Sequence, residues 1–195
     1  MNTIRALSDL YGKQYAKIQA SKTFRKTKLP VAARILYDEF KPKSVIDFGA
    51  ANGVYLKEFK KRGCKVFGLE ANVQCLPFLS ETIGPNNTMY YDLRIENKKI
   101  GDFDLAISIE VLEHIERTKA DVAVNNICVN SNTLFITASD RAGGTGHVNV
   151  QQKEYWVEKF RHYRFVLDKE RSRNLADKLS VLGIAYLKKG MVFIR

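Results

Sequence analysis

The run Val45-Ile46-Asp47-Phe48-Gly49-Ala50-Ala51-Asn52-Gly53 carries an apolar strand into a turn of small residues, and a helical pattern follows from Val54. Gly49 and Gly53 let the backbone bend sharply and come close to a ligand that a side chain would block. A helix starting there aims unpaired N–H groups at a polar group. The stretch therefore reads as a nucleoside-cofactor loop.

Working outward, the first support is Glu70. It follows Gly49 by 21 residues and ends the strand pattern Val66-Phe67-Gly68-Leu69-Glu70. In a doubly wound sheet an acid at this place meets both hydroxyls of a ribose bound across the first turn. A dinucleotide also needs a tight G-x-G-x-x-G turn for its pyrophosphate. This chain has Ala51 at the centre of G-A-A-N-G. That glycine pattern disfavours a nicotinamide oxidoreductase.

The remaining chain alternates strand and helix. Strands are expected over 44–48, 65–69, 88–91, 103–109 and 132–138, and helices over 53–62, 71–82, 111–127 and 152–160. Continuous apolar strands separated by helices give a parallel sheet covered on both faces. In the tail, 163–167 and 191–194 read as two last strands around a helical segment near 170–187, so the sheet should finish with an antiparallel strand. Ahead of the sheet, 3–20 and 30–40 read as helices, the first with an apolar stripe of Leu7, Leu10, Tyr11, Tyr15 and Ile18. Pro30 suits the first turn of the second. Residues 1–40 are expected to form a helical cap belonging to the same domain as 41–195.

Size and composition agree with this. The 195 residues suit one domain, and apolar and charged fractions of 45% and 27% are ordinary for a soluble protein. No apolar run reaches the roughly 18 residues of a membrane span, and Met1-Asn2-Thr3-Ile4-Arg5 lacks the apolar core of a secretion signal. A cytoplasmic protein without a membrane partner is expected. Cys64, Cys75 and Cys128 lack metal-type spacing and read as buried thiols. The net charge of +11 sits at the ends: 10 basic against 3 acidic residues over 1–43, and 11 against 5 over 153–195. Such ends suit either nucleic-acid binding or a solvated basic surface.

Taken with Val45–Gly53 and Glu70, the segments Tyr91-Asp92-Leu93 and Phe103-Asp104-Leu105-Ala106-Ile107-Ser108-Ile109-Glu110-Val111-Leu112-Glu113-His114 complete four motifs in order. The set resembles the class I S-adenosylmethionine-dependent methyltransferases over roughly residues 40–195. The resemblance implies a doubly wound α/β fold with a seven-stranded, mainly parallel sheet in the order 3-2-1-4-5-7-6, strand 7 antiparallel. It implies S-adenosyl-L-methionine as cofactor, with Gly49, Ala51 and Gly53 along its methionine part and Asp47 holding its amino group through water. Glu70 would bind the ribose hydroxyls, Ala71 and Leu93 would lie beside the adenine, and Asp92 would accept from the adenine amino group. Ile109 and Glu110 would sit under the sulfonium end. Ala51 departs from the glycine most common there.

Methyl transfer from a sulfonium needs alignment, and a hydroxyl acceptor also needs its proton handled by a base or a metal. If 111–127 is helical, Glu110, Glu113 and His114 share one face at i, i+3 and i+4. Two carboxylates and an imidazole make a plausible site for Mg2+ or Mn2+. His147, in the loop Gly143-Gly144-Thr145-Gly146-His147-Val148-Asn149, would be a fourth ligand or a general base beside His114 and Glu110. The E-x-x-E-H pattern with a later histidine resembles metal-using O-methyltransferases of catechol-like ubiquinone precursors and of the terminal ribose 2′-hydroxyl of small RNAs. Acids in a first helical turn also offset the helix dipole without any metal.

O-methylation of a hydroxyl on a small molecule or glycan is thus the leading expectation. RNA ribose methylation, and a non-catalytic cofactor-binding subunit that needs a partner chain, stand as alternatives. No N-P-P-Y-type motif follows the fourth strand, which disfavours methylation of base amino groups.

Overall fold

The computed structural model describes residues 23–195; the helix expected over 3–20 lies outside them. Seven strands are present: β1 Ser44–Phe48, β2 Lys65–Glu70, β3 Thr88–Tyr90, β4 Leu105–Ile109, β5 Thr133–Thr137, β6 Val166–Leu167 and β7 Met191–Ile194. They form one sheet in the order β3-β2-β1-β4-β5-β7-β6. β7 runs antiparallel to β5 and to β6, while β1–β2, β2–β3 and β4–β5 pair in parallel. The expected topology is therefore present, including the antiparallel last strand. Among the described residues no helix is long and apolar enough to cross a membrane.

Two compact units make up the chain, one ending at Asp92 and the other beginning at Leu93. In the first, Val45, Ile46 and Phe48 of β1 are wholly buried, as a strand covered on both faces requires. Helices α1 Thr23–Phe40, α2 Val54–Lys60 and α3 Leu76–Ile83 accompany it. α1 buries Leu29, Ala32, Ala33 and Leu36, an i, i+3, i+4, i+7 stripe, and its Tyr37 ring meets Phe59 of α2 edge-on at 6.4 Å.

α1 corrects the sequence expectation of a helix over 30–40. It begins at Thr23, so Pro30 lies inside it rather than in its first turn. An interior proline costs about 3 kcal/mol in an exposed helix. The buried stripe beginning at Leu29 offsets that cost.

In the second unit, α4 Ala120–Cys128, α5 Lys153–His162 and α6 Lys169–Ser180 accompany the sheet. Trp156 and Phe160 of α5 are core, and the Phe160 ring lies 4.5 Å from that of Phe193 on β7. Two buried asparagines of the α4 region fasten the segment leading to β4. Asn126 Nδ2 donates to the carbonyls of Leu93 and Ile95, and Asn130 Oδ1 accepts from the N–H groups of Ile100 and Gly101. The helical tail ends earlier than 187: α6 stops at Ser180, Gly183 turns at φ 64°, and a separate short turn spans Ala185–Lys189. Cys64, Cys75 and Cys128 are buried thiols outside any disulfide, as read from their spacing.

The long helix expected over 111–127 is not formed. Short 3₁₀ turns occupy Leu112–His114 and Arg117–Lys119, and only Ala120–Cys128 is α-helical. Glu110 takes a left-handed φ of 57°, and Ile115 and Glu116 are extended, so the backbone leaves the helical path three times. Glu110, Glu113 and His114 do not share a helix face.

Candidate functional site

In the first unit the turn after β1 is built on the end of β2. The N–H groups of Gly49 and Ala50 both donate to the Leu69 carbonyl, at 2.8 and 2.9 Å. Glu70 continues the same clasp with its side chain. Its Oε2 accepts the Ala51 N–H at 2.8 Å and its Oε1 accepts the Asn72 N–H at 2.7 Å. Gly49, Ala51 and Gly53 have φ of 82°, 50° and 73°, so a left-handed residue recurs at every second position. Gly53 has a second reason to be glycine: a Cβ there would fall 2.8 Å from Leu79 Cδ1 on α3.

Two carboxylates are sunk beneath this turn. Burial pushes the Asp47 carboxyl well above the ordinary range, and the charge of Glu70 adds to it. Burial also raises Glu70, against the lowering effect of the N–H groups of Asn72, Ala51 and Ala71. An ionised carboxylate offers about four accepting positions, so Glu70 keeps accepting capacity after holding the loop. An acidic, acceptor-rich turn of this kind fits vicinal hydroxyls and a cationic group. Asp92 and Leu93 follow β3 and are both buried, as is Tyr91, whose ring meets Phe48 edge-on at 5.8 Å. Ala71 is half-buried.

In the second unit, residues after β4 and β5 converge. Glu113, His114 and His147 each bring one ligand-type atom within 4.8 Å of the others. The loop bearing His147 is tied to the Leu112–His114 turn. The N–H groups of Val148 and Asn149 both donate to the Glu113 carbonyl at 3.0 Å, and His114 Nδ1 donates to the Gly146 carbonyl at 3.0 Å. His147 Nδ1 donates to the Arg141 carbonyl at 3.2 Å. In a neutral ring that donates through Nδ1 the lone pair is on Nε2. Both histidines therefore present the nitrogen suited to a metal, with the other held by an outer partner as metal-site histidines usually are. The two rings lie edge to face, centroids 4.9 Å apart.

Glu113 is wholly buried, and among the described residues neither carboxylate oxygen has a hydrogen-bond partner. His147 Nε2 stands 3.9 Å from its Oε1. Burial, and then the charge of Glu110, raise the Glu113 carboxyl. Glu110 is raised by burial as well, opposed first by the hydroxyl of Thr137, which donates to its Oε1 at 2.9 Å. Burial depresses His114, keeping its imidazole neutral. Two buried carboxyl groups beside two imidazoles form a donor set for a divalent cation. The orphaned oxygens of Glu113 are what such an ion would satisfy. Three of the four expected residues converge; Glu110 lies beside Glu113 and is held by Thr137 instead.

Several contributors carry no sequence motif. Thr137 is the last residue of β5, and the carbonyls of Arg141 and Gly146 act through the backbone; only the loop's glycines hinted at tight geometry. His162 is exposed and lies away from this cluster in the sequence.

A family model described as "Methyltransferase domain" matches residues 20–179. No curated protein matches the sequence. Among solved structures, a TehB-like SAM-dependent methyltransferase from Corynebacterium glutamicum is similar at 18% identity and TM-score 0.63, over 84% of this chain and 86% of that one. A chain of the complex between the Haloferax volcanii Trm112 methyltransferase activator and its methyltransferase is similar at 14% and 0.63, over 86% and 78%. An O-methyltransferase family protein from Burkholderia thailandensis is similar at 12% and 0.64, over 96% and 61%. At such identities these likenesses establish the fold.

Proposed function

This chain belongs to the methyltransferase-domain family, and from that premise we propose that it transfers the methyl group of S-adenosylmethionine to a hydroxyl, assisted by a divalent metal. The carrying observation is the convergence of the buried, unpaired Glu113 carboxylate with two histidines that both present Nε2.

The cofactor's fit to the first unit is supported by the spare accepting capacity of Glu70, which suits ribose hydroxyls, and by the buried Asp47, which suits the amino group. In the same proposal Asp92 accepts from the adenine amino group, and Ala71 and Leu93 flank the ring. Gly49, Ala51 and Gly53 follow the methionine part, and Ile109 and Glu110 lie toward the sulfonium. Helix α1 is kept as part of the same domain, because its apolar face is buried.

Transfer is an in-line displacement: the acceptor oxygen takes the methyl group, the sulfonium leaves as a neutral thioether, and the hydroxyl proton goes to a base. Glu113, His114 and His147 would hold Mg2+ or Mn2+, which when bound lowers the acidity barrier of a coordinated hydroxyl. With His147 on the metal, Glu110 would take the proton; without a metal, Nε2 of His147 would be the base.

The test is labelled-methyl transfer to phenols, sugars and RNA oligonucleotides, with and without chelator and with Mg2+ or Mn2+ restored. Metal-dependent labelling of a hydroxyl is expected. Chelator-insensitive labelling would remove the metal, and labelling confined to nitrogen would remove O-methylation.

A terminal ribose hydroxyl of RNA is the second acceptor considered, favoured by the basic segment 153–195. It predicts RNA retention with a steep salt dependence. Turnover by the isolated chain would exclude the non-catalytic subunit.

A further inference from the structure

Three glycines in the loop between β5 and α5 answer to different constraints. Gly143 and Gly146 have φ of 93° and 74°, the left-handed region that favours glycine, and a Cβ on Gly143 would meet nothing within 4 Å. Gly144 is the opposite case. Its φ lies outside that region, so its backbone suits any residue, yet a Cβ there would fall 2.2 Å from Nε2, 2.3 Å from Cε1 and 2.5 Å from Cδ2 of His147. The imidazole lies across the bare face of Gly144.

The ring has little freedom to yield. Its Nδ1 is held by the Arg141 carbonyl, its own backbone N–H donates to the Gly144 carbonyl at 3.2 Å, and the next two N–H groups are fixed on the Glu113 carbonyl. A methyl group at Gly144 would displace the ring from its bond to the Arg141 carbonyl, because the backbone that carries the ring is fixed on the Glu113 carbonyl.

We propose that Gly144 is a positioning residue: the slot left by its missing side chain seats the His147 ring so that Nε2 stands toward Glu113 and His114. The inference rests on the metal-assisted reading of the site for its consequence, while its test reads the ring itself. It needs no conformational strain at Gly144, which separates its role from that of its two glycine neighbours.

The chain holds three histidines, so side-chain 15N NMR of the metal-free protein can resolve each one, assigned by single substitution. In the wild type His147 should show the Nδ1–H tautomer. In Gly144→Ala it should shift to the mixture of a free imidazole, and Mn2+ affinity should fall about 10–100-fold, as for loss of a ligand's outer support. In a His147→Ala background, adding Gly144→Ala should change neither melting temperature nor Mn2+ affinity. An unchanged His147 tautomer in Gly144→Ala would overturn the proposal. So would an equal loss of stability from Gly144→Ala with and without the His147 ring. Should Gly144→Ala alone fail to fold, a folded double variant supports the slot and an unfolded one overturns it. A wild type that binds no Mn2+ would sink the metal reading and leave the tautomer result to decide the role of Gly144.

Discussion

Glu70 Oε2 accepts the backbone N–H of Ala51 at 2.8 Å, so the acid that ends β2 fastens the loop that ends β1. With Oε1 on the Asn72 N–H, this carboxylate has a duty to the fold besides any duty to a ribose. Glu70→Ala should therefore show two effects. Stranding two backbone donors costs about 1–3 kcal/mol each where they stay buried, a cost reduced by relief of the buried charge. Urea unfolding should show a lower midpoint, and calorimetry a loss of S-adenosylhomocysteine affinity of tenfold or more. An unchanged midpoint would mean that the clasp contributes nothing.

Asp47 makes the opposite stability prediction. Its folded pKa is raised by burial and by Glu70, so its contribution is most favourable below the unfolded value of about 3.9. That contribution is lost as pH rises toward the folded pKa. At neutral pH the buried carboxyl costs stability in the ligand-free chain. Asp47→Asn should raise the melting temperature at pH 7, leave it nearly unchanged at pH 3, and weaken cofactor binding. A variant less stable than wild type at pH 7 would show that Asp47 is held by partners that outweigh its burial.

How much of this was legible beforehand follows from the range of the forces involved. The β1 turn, Glu70 and the strand order could be read because local apolar runs and glycine spacing carry them. Pro30 misled, because a proline reads as a helix start unless the stripe Leu29, Ala32, Ala33, Leu36 is weighed against it. The helix over 111–127 misled for a different reason. Its apolar spacing is real, but Glu110 adopts a left-handed backbone while its N–H and carboxylate are bound by Thr137, 27 residues away. No local pattern encodes that contact. Convergence of His147 on Glu113 could be guessed from residue type, whereas the Nδ1 partners are backbone carbonyls that any residue could supply.

Glu113→Gln separates a ligand from a structural acid. The side chain is wholly buried with both oxygens unpaired, and burial with the charge of Glu110 raises its carboxyl to about 8, so it is largely protonated at neutral pH and an isosteric amide replaces a mostly neutral group. The metal-free variant should be as stable as wild type or more so, while Mn2+ affinity by calorimetry should fall by at least tenfold. Retained affinity would remove Glu113 from the site. A marked loss of stability without metal would assign it to the fold.

Thr137→Val tests the support of Glu110. The Thr137 hydroxyl accepts the Glu110 N–H at 3.0 Å and donates to Glu110 Oε1 at 2.9 Å, and the side chain is wholly buried. Valine keeps the shape and removes both bonds. The Glu110 N–H retains the Thr137 carbonyl at 3.2 Å, so its loss is partial and the main cost falls on the carboxylate. Destabilisation of about 1–3 kcal/mol is expected for bonds of which one is to a charged group. Because Glu110 at φ 57° is held off the helical path by these contacts, its carboxylate should then lose its fixed position beside Glu113. Turnover should fall more than cofactor affinity does. Equal losses in both, or a stability change below about 0.5 kcal/mol, the level of a surface substitution, would show that Thr137 does not set the placement of Glu110.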